Sequence, residues 1–572
     1  MEPGGVLGDL RRRGSPVRRG GRPDWPVHAG GRRAESRAER QPEQHRRRLG
    51  RGVLHARRAR HAAPRTGVAG RHRAGLHAVR FLGGRAVVSE RLRTRHLHRF
   101  EAAGKAFLYL QSAAIFALDD ASRAILDLLE AEPRSRHEMQ TALAARWPTD
   151  ELEESLDELV KVEAVAPVDQ APAPMPKIIP LEPFPLTTMV MNVTNQCNLA
   201  CAYCYEYGED KIVETANGAQ PKFMSEETAT QSVDFMLREA GPNKVVHMTL
   251  FGGETLLNLP VLKIAIPYAR QRAMEAGKRV EFNLTTNATL LKPDVVDFLV
   301  ENDVAVTISI DGPPEMQDTF RVFRSGAGSY DVAMPKIKEL LRRHRTKPIG
   351  ARVTLTSKTL DVGRIFRHLT DEVGFREVGF APVTTSPDRQ YAIEDGGFDT
   401  MLGQFRTLAE EFRDHALENR HHAFANVKDT LEEIHKGANK AYPCGAGLGL
   451  IGVATDGQVA LCHRFAGSDE HTMGTVDGGI DRERQAEFLD RHHVARKTDC
   501  RTCWARPLCA GGCYHEAQTR YGATDAPNLH YCDWIREWTD VCLRIYGELA
   551  ERNPAYLARF EGRVTDEASQ AS

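Results

Sequence analysis

Thr187-Thr-Met-Val-Met-Asn192, followed four residues later by Cys197-Asn-Leu-Ala-Cys201-Ala-Tyr-Cys204, is the stretch on which the reading of the fold turns. The first six residues read as a short buried strand, and the eight that matter next form a loop with three thiols. In parallel α/β folds, ligand chemistry sits at the carboxyl ends of the strands. Three thiolates from one short loop can hold three irons of a cubane, leaving the fourth iron open to an exogenous chelator. A three-cysteine zinc site or plain buried thiols are the alternatives. Zinc motifs favour paired spacings of two to four residues, and the C-x3-C-x2-C loop with an aromatic before its last Cys is more selective.

Outward from this loop, strands and helices alternate. Strands are expected at Thr187–Asn192, Val245–Phe251, Val280–Thr285, Val304–Ile310, Ile349–Thr356 and Glu377–Val383. Helices are expected at Glu226–Glu239 with Ser225 as N-cap, Val295–Glu301, Val332–Arg343 and Val362–Glu372. Six strand-then-helix repeats predict an α/β fold with a parallel sheet and right-handed crossovers, curling into a partial (β/α)6 barrel over 187–390. A helix at Phe398–Asn419 lies in a helical connector, 391–443, and the chain becomes cysteine-rich at 444–550 before a tail, 551–572.

The cysteine loop resembles the signature of radical S-adenosylmethionine enzymes, and the resemblance runs over about residues 187–385. It implies a [4Fe-4S] cluster on Cys197, Cys201 and Cys204, with S-adenosylmethionine chelating the open iron. One electron then cleaves the sulfonium to a 5′-deoxyadenosyl radical. Further positions match in order at successive strand ends. Phe251-Gly-Gly-Glu254 supplies Gly252 and Gly253, which let backbone approach the methionine amine, and Glu254 as its acceptor. Thr285-Thr-Asn287 resembles the ribose-side segment. Ser309-Ile-Asp311-Gly, with Arg321, resembles the carboxylate and ribose contacts, and Tyr203 stands beside them in the loop. Arg352 is a weaker candidate. Each has a bland reading as a turn glycine or a strand-end cap; their joint order is what the resemblance rests on.

The later cysteines are Cys444, Cys462, Cys500, Cys503, Cys509, Cys513, Cys532 and Cys542. The first seven resemble a SPASM domain, which implies two auxiliary [4Fe-4S] clusters: one on Cys500, Cys503, Cys509 and Cys532, the other on Cys444, Cys462 and Cys513. No Cys lies between 445 and 461. The second cluster therefore has an open iron or a fourth ligand of another kind, Cys542 being the one unassigned thiol. Paired zinc ribbons are the alternative for these spacings. His463, directly after Cys462, is a possible proton acceptor or simply a solvated loop histidine.

The ends of the chain differ from this middle. Residues 1–100 hold 26 Arg, no Lys and 7 acids, whereas the rest holds 51 bases and 70 acids. Residues 1–99 are expected to be a disordered Arg-rich leader. It is either an inert tail or a translated GC-rich frame that is not authentic coding sequence, or else a nucleic-acid arm. The near absence of base-stacking aromatics argues against the arm. Residues 100–170 read as a winged-helix-like module, either a packing appendage or a clamp for a peptide added to a sheet edge. Ala171-Pro-Ala-Pro-Met-Pro opens a stiff linker, 171–186. No apolar run is long enough for a membrane span, and no apolar segment suits a secretory signal, so a cytoplasmic protein with reduced thiols is expected.

The string Cys204-Tyr-Glu-Tyr-Gly-Glu-Asp-Lys211 resembles the family of quinohaemoprotein amine dehydrogenase maturation enzymes. That resemblance implies thioether crosslinks from Cys sulfur to Asp and Glu methylene carbons within the dehydrogenase gamma subunit. It also implies substrate binding through the N-terminal module and an electron donor such as flavodoxin or ferredoxin. The rival readings are a formylglycine-forming sulfatase maturase, a ribosomal-peptide thioether synthase and, from another class, a zinc-stabilised nucleic-acid-binding scaffold.

Overall fold

The computed structural model describes residues 91–170, 184–206, 208 and 221–561. The leader up to residue 90, most of the linker, Tyr207, residues 209–220 and the end of the tail lie outside the described residues.

Strands already occur inside the stretch read as leader. β1 (Arg91–Thr94) and β2 (Leu97–Ala102) are strands. Leu92 points inward while Arg91 and Arg93 are exposed, so the alternation is that of a half-buried strand. The high Arg content, placed on the solvent side, hid it. β2, β3 (Lys105–Leu110) and β4 (Ile115–Leu118) form an antiparallel sheet with Phe100 opposite Phe107. Three helices follow: α1 (Asp120–Ala131), α2 (Arg136–Leu143) and α3 (Thr149–Lys161). Asp119 caps α1 by accepting from the Ser122 amide at 2.7 Å, and Ser135 with Glu138 forms a capping box on α2. β1 lies between β5 (Arg134–Ser135) and β6 (Val165–Pro167). β3 is covered on both faces: Leu108 and Leu110 pack with Ile125, Leu129 and Leu156, while Phe107 and Tyr109 join the main core.

The central sheet runs in chain order. Its strands are β7 (Thr188–Asn192), β8 (Val245–Phe251), β9 (Arg279–Thr286), β10 (Ala305–Ser309), β11 (Ile349–Leu355) and β12 (Val378–Pro382), each parallel to the next. The helices between them are α4 (Glu226–Glu239), α5 (Leu259–Glu275), α6 (Pro293–Glu301), α7 (Pro314–Phe320), α8 (Tyr330–Arg343) and α9 (Val362–Arg367). Ser225 caps α4, its hydroxyl accepting from the Thr228 amide at 3.0 Å. The sequence gives little sign of α5, because Pro267 sits in its interior. α9 is shorter than expected; from His368 to Val373 the chain widens into a π turn that ends at Gly374, φ 98°. β12 and β7 do not pair among the described residues, so the parallel sheet stays open.

α10 (Asp395–Leu417) and α11 (Ala425–His435) form the connector. β13 (Leu450–Val453) then adds in parallel to the free edge of β7, and β14 (Gln458–Ala460), β15 (Thr472–Thr475) and β16 (Gly479–Ile480) extend the sheet antiparallel. The cysteine-rich region is therefore continuous with the central sheet. Helices α12 (Arg482–His492), α13 (Arg506–Cys509), α14 (Tyr514–Tyr521) and α15 (Cys532–Arg552) complete it. α15 buries Trp534, Trp538 and Leu549 and packs on α10, α11 and β2.

Candidate functional site

The cysteine loop is clamped to the end of β8. Val193 donates to the Phe251 carbonyl at 2.9 Å, Gly253 to Thr194 at 3.0 Å, and Glu254 to Gln196 at 2.8 Å. On its other side Ala200 donates to the Val322 carbonyl at 2.8 Å. Cys197, Cys201 and Cys204 are all partly buried. Burial pushes the Cys197 thiol up to about 12; the Leu199 amide opposes this, and negative charge on Glu254, Cys201 and Cys204 adds to it. Cys201 is raised as well, chiefly by burial. Such a loop disfavours bare thiolates and favours them once cationic iron is supplied, which fits the donor set to a cluster. No three His, Cys, Asp or Glu side chains converge on a single-ion site among the described residues. A cubane does not require that, since each thiolate holds its own iron.

The strand ends bring the other expected residues beside this loop. Gly252 has φ 140°, and a Cβ there would stand 2.5 Å from the Thr194 carbonyl oxygen, so no side chain fits. Glu254 is buried, its Oε1 accepting from Thr286 Oγ1 at 2.6 Å and the Leu256 amide at 3.1 Å. Its Oε2 accepts from the Asn287 amide at 2.8 Å, which leaves one acceptor direction for a ligand amine. Burial raises the Glu254 carboxyl despite these three bonds. Asn287 donates to Asn198 at 3.0 Å and reaches Cys197 Sγ at 3.9 Å, tying the third strand end to the loop.

Asp311 is held by partners within the protein. Its Oδ2 accepts from the Tyr203 hydroxyl and pairs with Arg321 Nε at 2.9 Å, while Oδ1 accepts from the Thr354 amide at 3.0 Å. The carboxylate is engaged within the protein and fixes Tyr203 and Arg321. The Arg321 guanidinium also lies 5.5 Å from the Tyr203 ring centroid. Ser309 ends β10 directly beside Arg352 of β11, and Arg352 shares the less buried face of β11 with Thr354. A cleft of about 660 Å³ opens on the outer side of the loop, bounded by Ala202, Phe320, Lys358, Arg389 and Tyr391.

Cys500, Cys503, Cys509 and Cys532 lie close enough for charge on one to raise another: burial pushes Cys500 to about 12 and Cys532 to about 11, with Cys509 and Cys503 contributing to both. Cys532 is the first residue of α15, where the helix dipole favours a thiolate. Cys542 is elsewhere, fully buried on α15 against Thr430, with its thiol pushed up by burial. It is a core residue, which removes it as a fourth ligand. Cys462 is buried where the chain crosses Gly452 of β13; a Cβ on Gly452 would stand 2.6 Å from the Cys462 carbonyl carbon.

His463 is not a solvated loop residue. It is 3% exposed, its ring 4.7 Å from Phe251 at the end of β8, and its carbonyl accepts from Asn192 at the end of β7. Arg464 and His515 join it, and the sequence reading passed over both. Arg464 donates to Thr384 at 3.2 Å, and its Nη1 is 3.5 Å from His515 Nδ1. Its guanidinium lies 4.7 Å from the centroid of Tyr205, the residue after Cys204. Their proximity to a cysteine, at 462 and 513, was the one sequence signal available.

Comparison with known proteins agrees with this geometry. Residues 191–355 match the radical SAM superfamily model. The chain is 31% identical over 216 residues to a serine-type anaerobic sulfatase-maturating enzyme of Bacteroides thetaiotaomicron, a match covering 37% of this chain and 49% of that protein. A cysteine-type anaerobic sulfatase-maturating enzyme of Clostridium novyi is 23% identical over 365 residues, covering 62% of this chain and 94% of that protein. An uncharacterized Methanocaldococcus jannaschii protein is 28% identical over 192 residues; the chain spans 61% of its length. The solved structure of native anSMEcpe with bound AdoMet superposes with TM-score 0.54 at 21% identity, covering 64% of this chain and all of that one, a likeness of fold. No helix among the described residues is long and apolar enough to cross a membrane.

Proposed function

We propose that this protein is a radical SAM maturase that forms Cys-to-Asp and Cys-to-Glu methylene thioethers within the gamma subunit of a quinohaemoprotein amine dehydrogenase. The observation that carries the enzymatic part is the thiol loop locked at the ends of β7 and β8, with Gly252 packed and the buried Glu254 hydrogen-bonded against it. The substrate is carried by the string from Cys204 to Lys211. Cys197, Cys201 and Cys204 would hold the cluster. With S-adenosylmethionine it would supply one-electron chemistry able to remove hydrogen from an unactivated methylene, which no side chain can do at neutral pH. Asp311 keeps Tyr203 and Arg321 fixed beside the loop, and Glu254 orients the amine. Cys500, Cys503, Cys509 and Cys532 would hold one auxiliary cluster, and Cys444, Cys462 and Cys513 the other, to accept the electron left when carbon and sulfur join. In this reading the residues 91–167 are a winged-helix-like clamp for the substrate peptide. In this reading a reductant such as flavodoxin or ferredoxin supplies the electron.

The names of the curated relatives favour a second reading, oxidation of a Ser or Cys side chain in a sulfatase. Anaerobically reconstituted protein should be incubated separately with a gamma subunit and with a sulfatase peptide. Loss of two hydrogens per crosslink in the gamma subunit, with no oxidation of the sulfatase peptide, is the expected result. The converse outcome replaces the first reading with the second.

A further inference from the structure

Lys497 is a buried cation with no anion bonded to it. Its side chain is 5% exposed, and its Nζ has no hydrogen-bond partner among the described residues. A lone ammonium in a protein interior is strongly unfavourable unless a counter-charge is supplied. The carboxylate whose charge acts on it, Asp525, is engaged by Arg491 at 2.7 Å. Lys497 is set instead among the turns that carry the cysteines. Its carbonyl accepts from the Cys500 amide at 3.1 Å, setting it one turn before that thiol. Its stem lies across Gly511, between Cys509 and Cys513, where a Cβ would come within 2.7 Å of Cδ and 2.8 Å of Nζ. Gly511 has φ 94°, so the backbone and the close approach both require glycine there. Nζ also lies 5.8 Å from the ring centroid of Tyr514, next to Cys513. Burial lowers the basicity of Lys497, and Cys500, Cys509 and Cys444 are among the groups that act against that.

We propose that Lys497 is a positioning residue for an auxiliary iron–sulfur centre, its ammonium supplying the counter-charge to the cluster on Cys500, Cys503, Cys509 and Cys532. This rests on the reading of those cysteines as cluster ligands. A thiolate-bound cubane is anionic, and reduction makes it more so; a fixed cation in a water-poor site therefore favours the reduced form and raises the potential. A raised potential suits a centre that must accept the electron left over from carbon–sulfur bond formation. The buried thiols and the buried ammonium, each costly alone, become mutually favourable once iron is bound.

The test uses the full chain, reconstituted anaerobically, as wild type, Lys497→Met and Lys497→Arg. Iron is counted, and the auxiliary centres are titrated by electron paramagnetic resonance against potential. Lys497→Met is expected to keep its iron and to move at least one auxiliary potential downward by a tenfold change in the reduction equilibrium, about 59 mV for one electron. Lys497→Arg should stay near wild type. Loss of auxiliary iron from Lys497→Met alone, with Lys497→Arg retaining it, supports the same role. Unchanged potentials in iron-replete Lys497→Met, or equal loss of iron from both variants, would overturn the proposal. A wild type that binds one cluster only would instead overturn the reading of the auxiliary ligands, and this one with it.

Discussion

Gly252 and Glu254 show how much of the site is set by single residues. At Gly252 both the backbone angle and the Thr194 oxygen exclude a side chain. Gly252→Ala is expected to cost about 1–3 kcal/mol in backbone strain, with further cost from overlap. Binding of S-adenosylmethionine, measured by equilibrium dialysis, should fall at least tenfold; unchanged binding would argue that the β8 end does not face the ligand. The thiols make a paired prediction. Cys509→Ala should lower the iron content of reconstituted protein by about four atoms per chain, one cubane. Cys542→Ala should leave iron unchanged and lower the melting temperature, because Cys542 is fully buried beside Thr430. Colorimetric iron and a thermal melt distinguish the two roles.

At the scale of elements, the decisive contact is between α15 and the N-terminal sheet. A Cβ on Gly547 would meet Ala102 Cβ at 2.9 Å and Phe100 at 3.2 Å, so helix and strand touch through the absence of a side chain. His98 strengthens the contact, stacking on Trp504 at 3.8 Å and bonding Asp540 at 2.6 Å. Gly547→Leu should drive the two apart. Limited proteolysis is expected to release residues before about 170 faster, and substrate-peptide affinity should fall while S-adenosylmethionine cleavage without peptide persists. Retained affinity with a displaced sheet would show that residues 91–167 are packing and not a clamp. The continuation of the central sheet through β13 is the other element-scale device, since it fixes the Cys462–Arg464 segment above the ends of β7 and β8.

For the whole molecule, buried histidines govern the response to acid. Burial lowers His247, on β8, to about 4, and His422 and His492 likewise to about 4. Unfolding returns each to about 6.5. Between those values the unfolded chain binds more protons, so stability rises with pH across that window and is lost as pH falls from 6.5 to 4. For His247 the ceiling is about 3 kcal/mol, at about 1.4 kcal/mol per pKa unit. Urea melts at pH 7 and pH 5 should show the decline, and His247→Gln should flatten it. A melt independent of pH in this range would mean that these rings are not neutral in the fold.

The sequence by itself determined the order of the six parallel strands and the place of the thiol loop. Both follow from local pattern: the buried strands are near-continuous apolar runs, the helices carry one-sided stripes, and Ser225 and Asp119 announce helix starts. The spacing of Cys500, Cys503, Cys509 and Cys532 also singles out thiols whose charges act on one another in the fold. Other features were decided only by tertiary structure. β1 was masked by arginines that face solvent, α5 by a proline that packing tolerates, and the burial of His463 by a strand, β13, whose partner lies some 260 residues earlier in the chain. The carboxylate of Asp311 and the ammonium of Lys497 depend on neighbours remote in sequence, such as Tyr203 for the first and Cys509 for the second. Periodicity records which face of an element is apolar. It carries no information about which distant charge will stand opposite a given side chain once water has been removed.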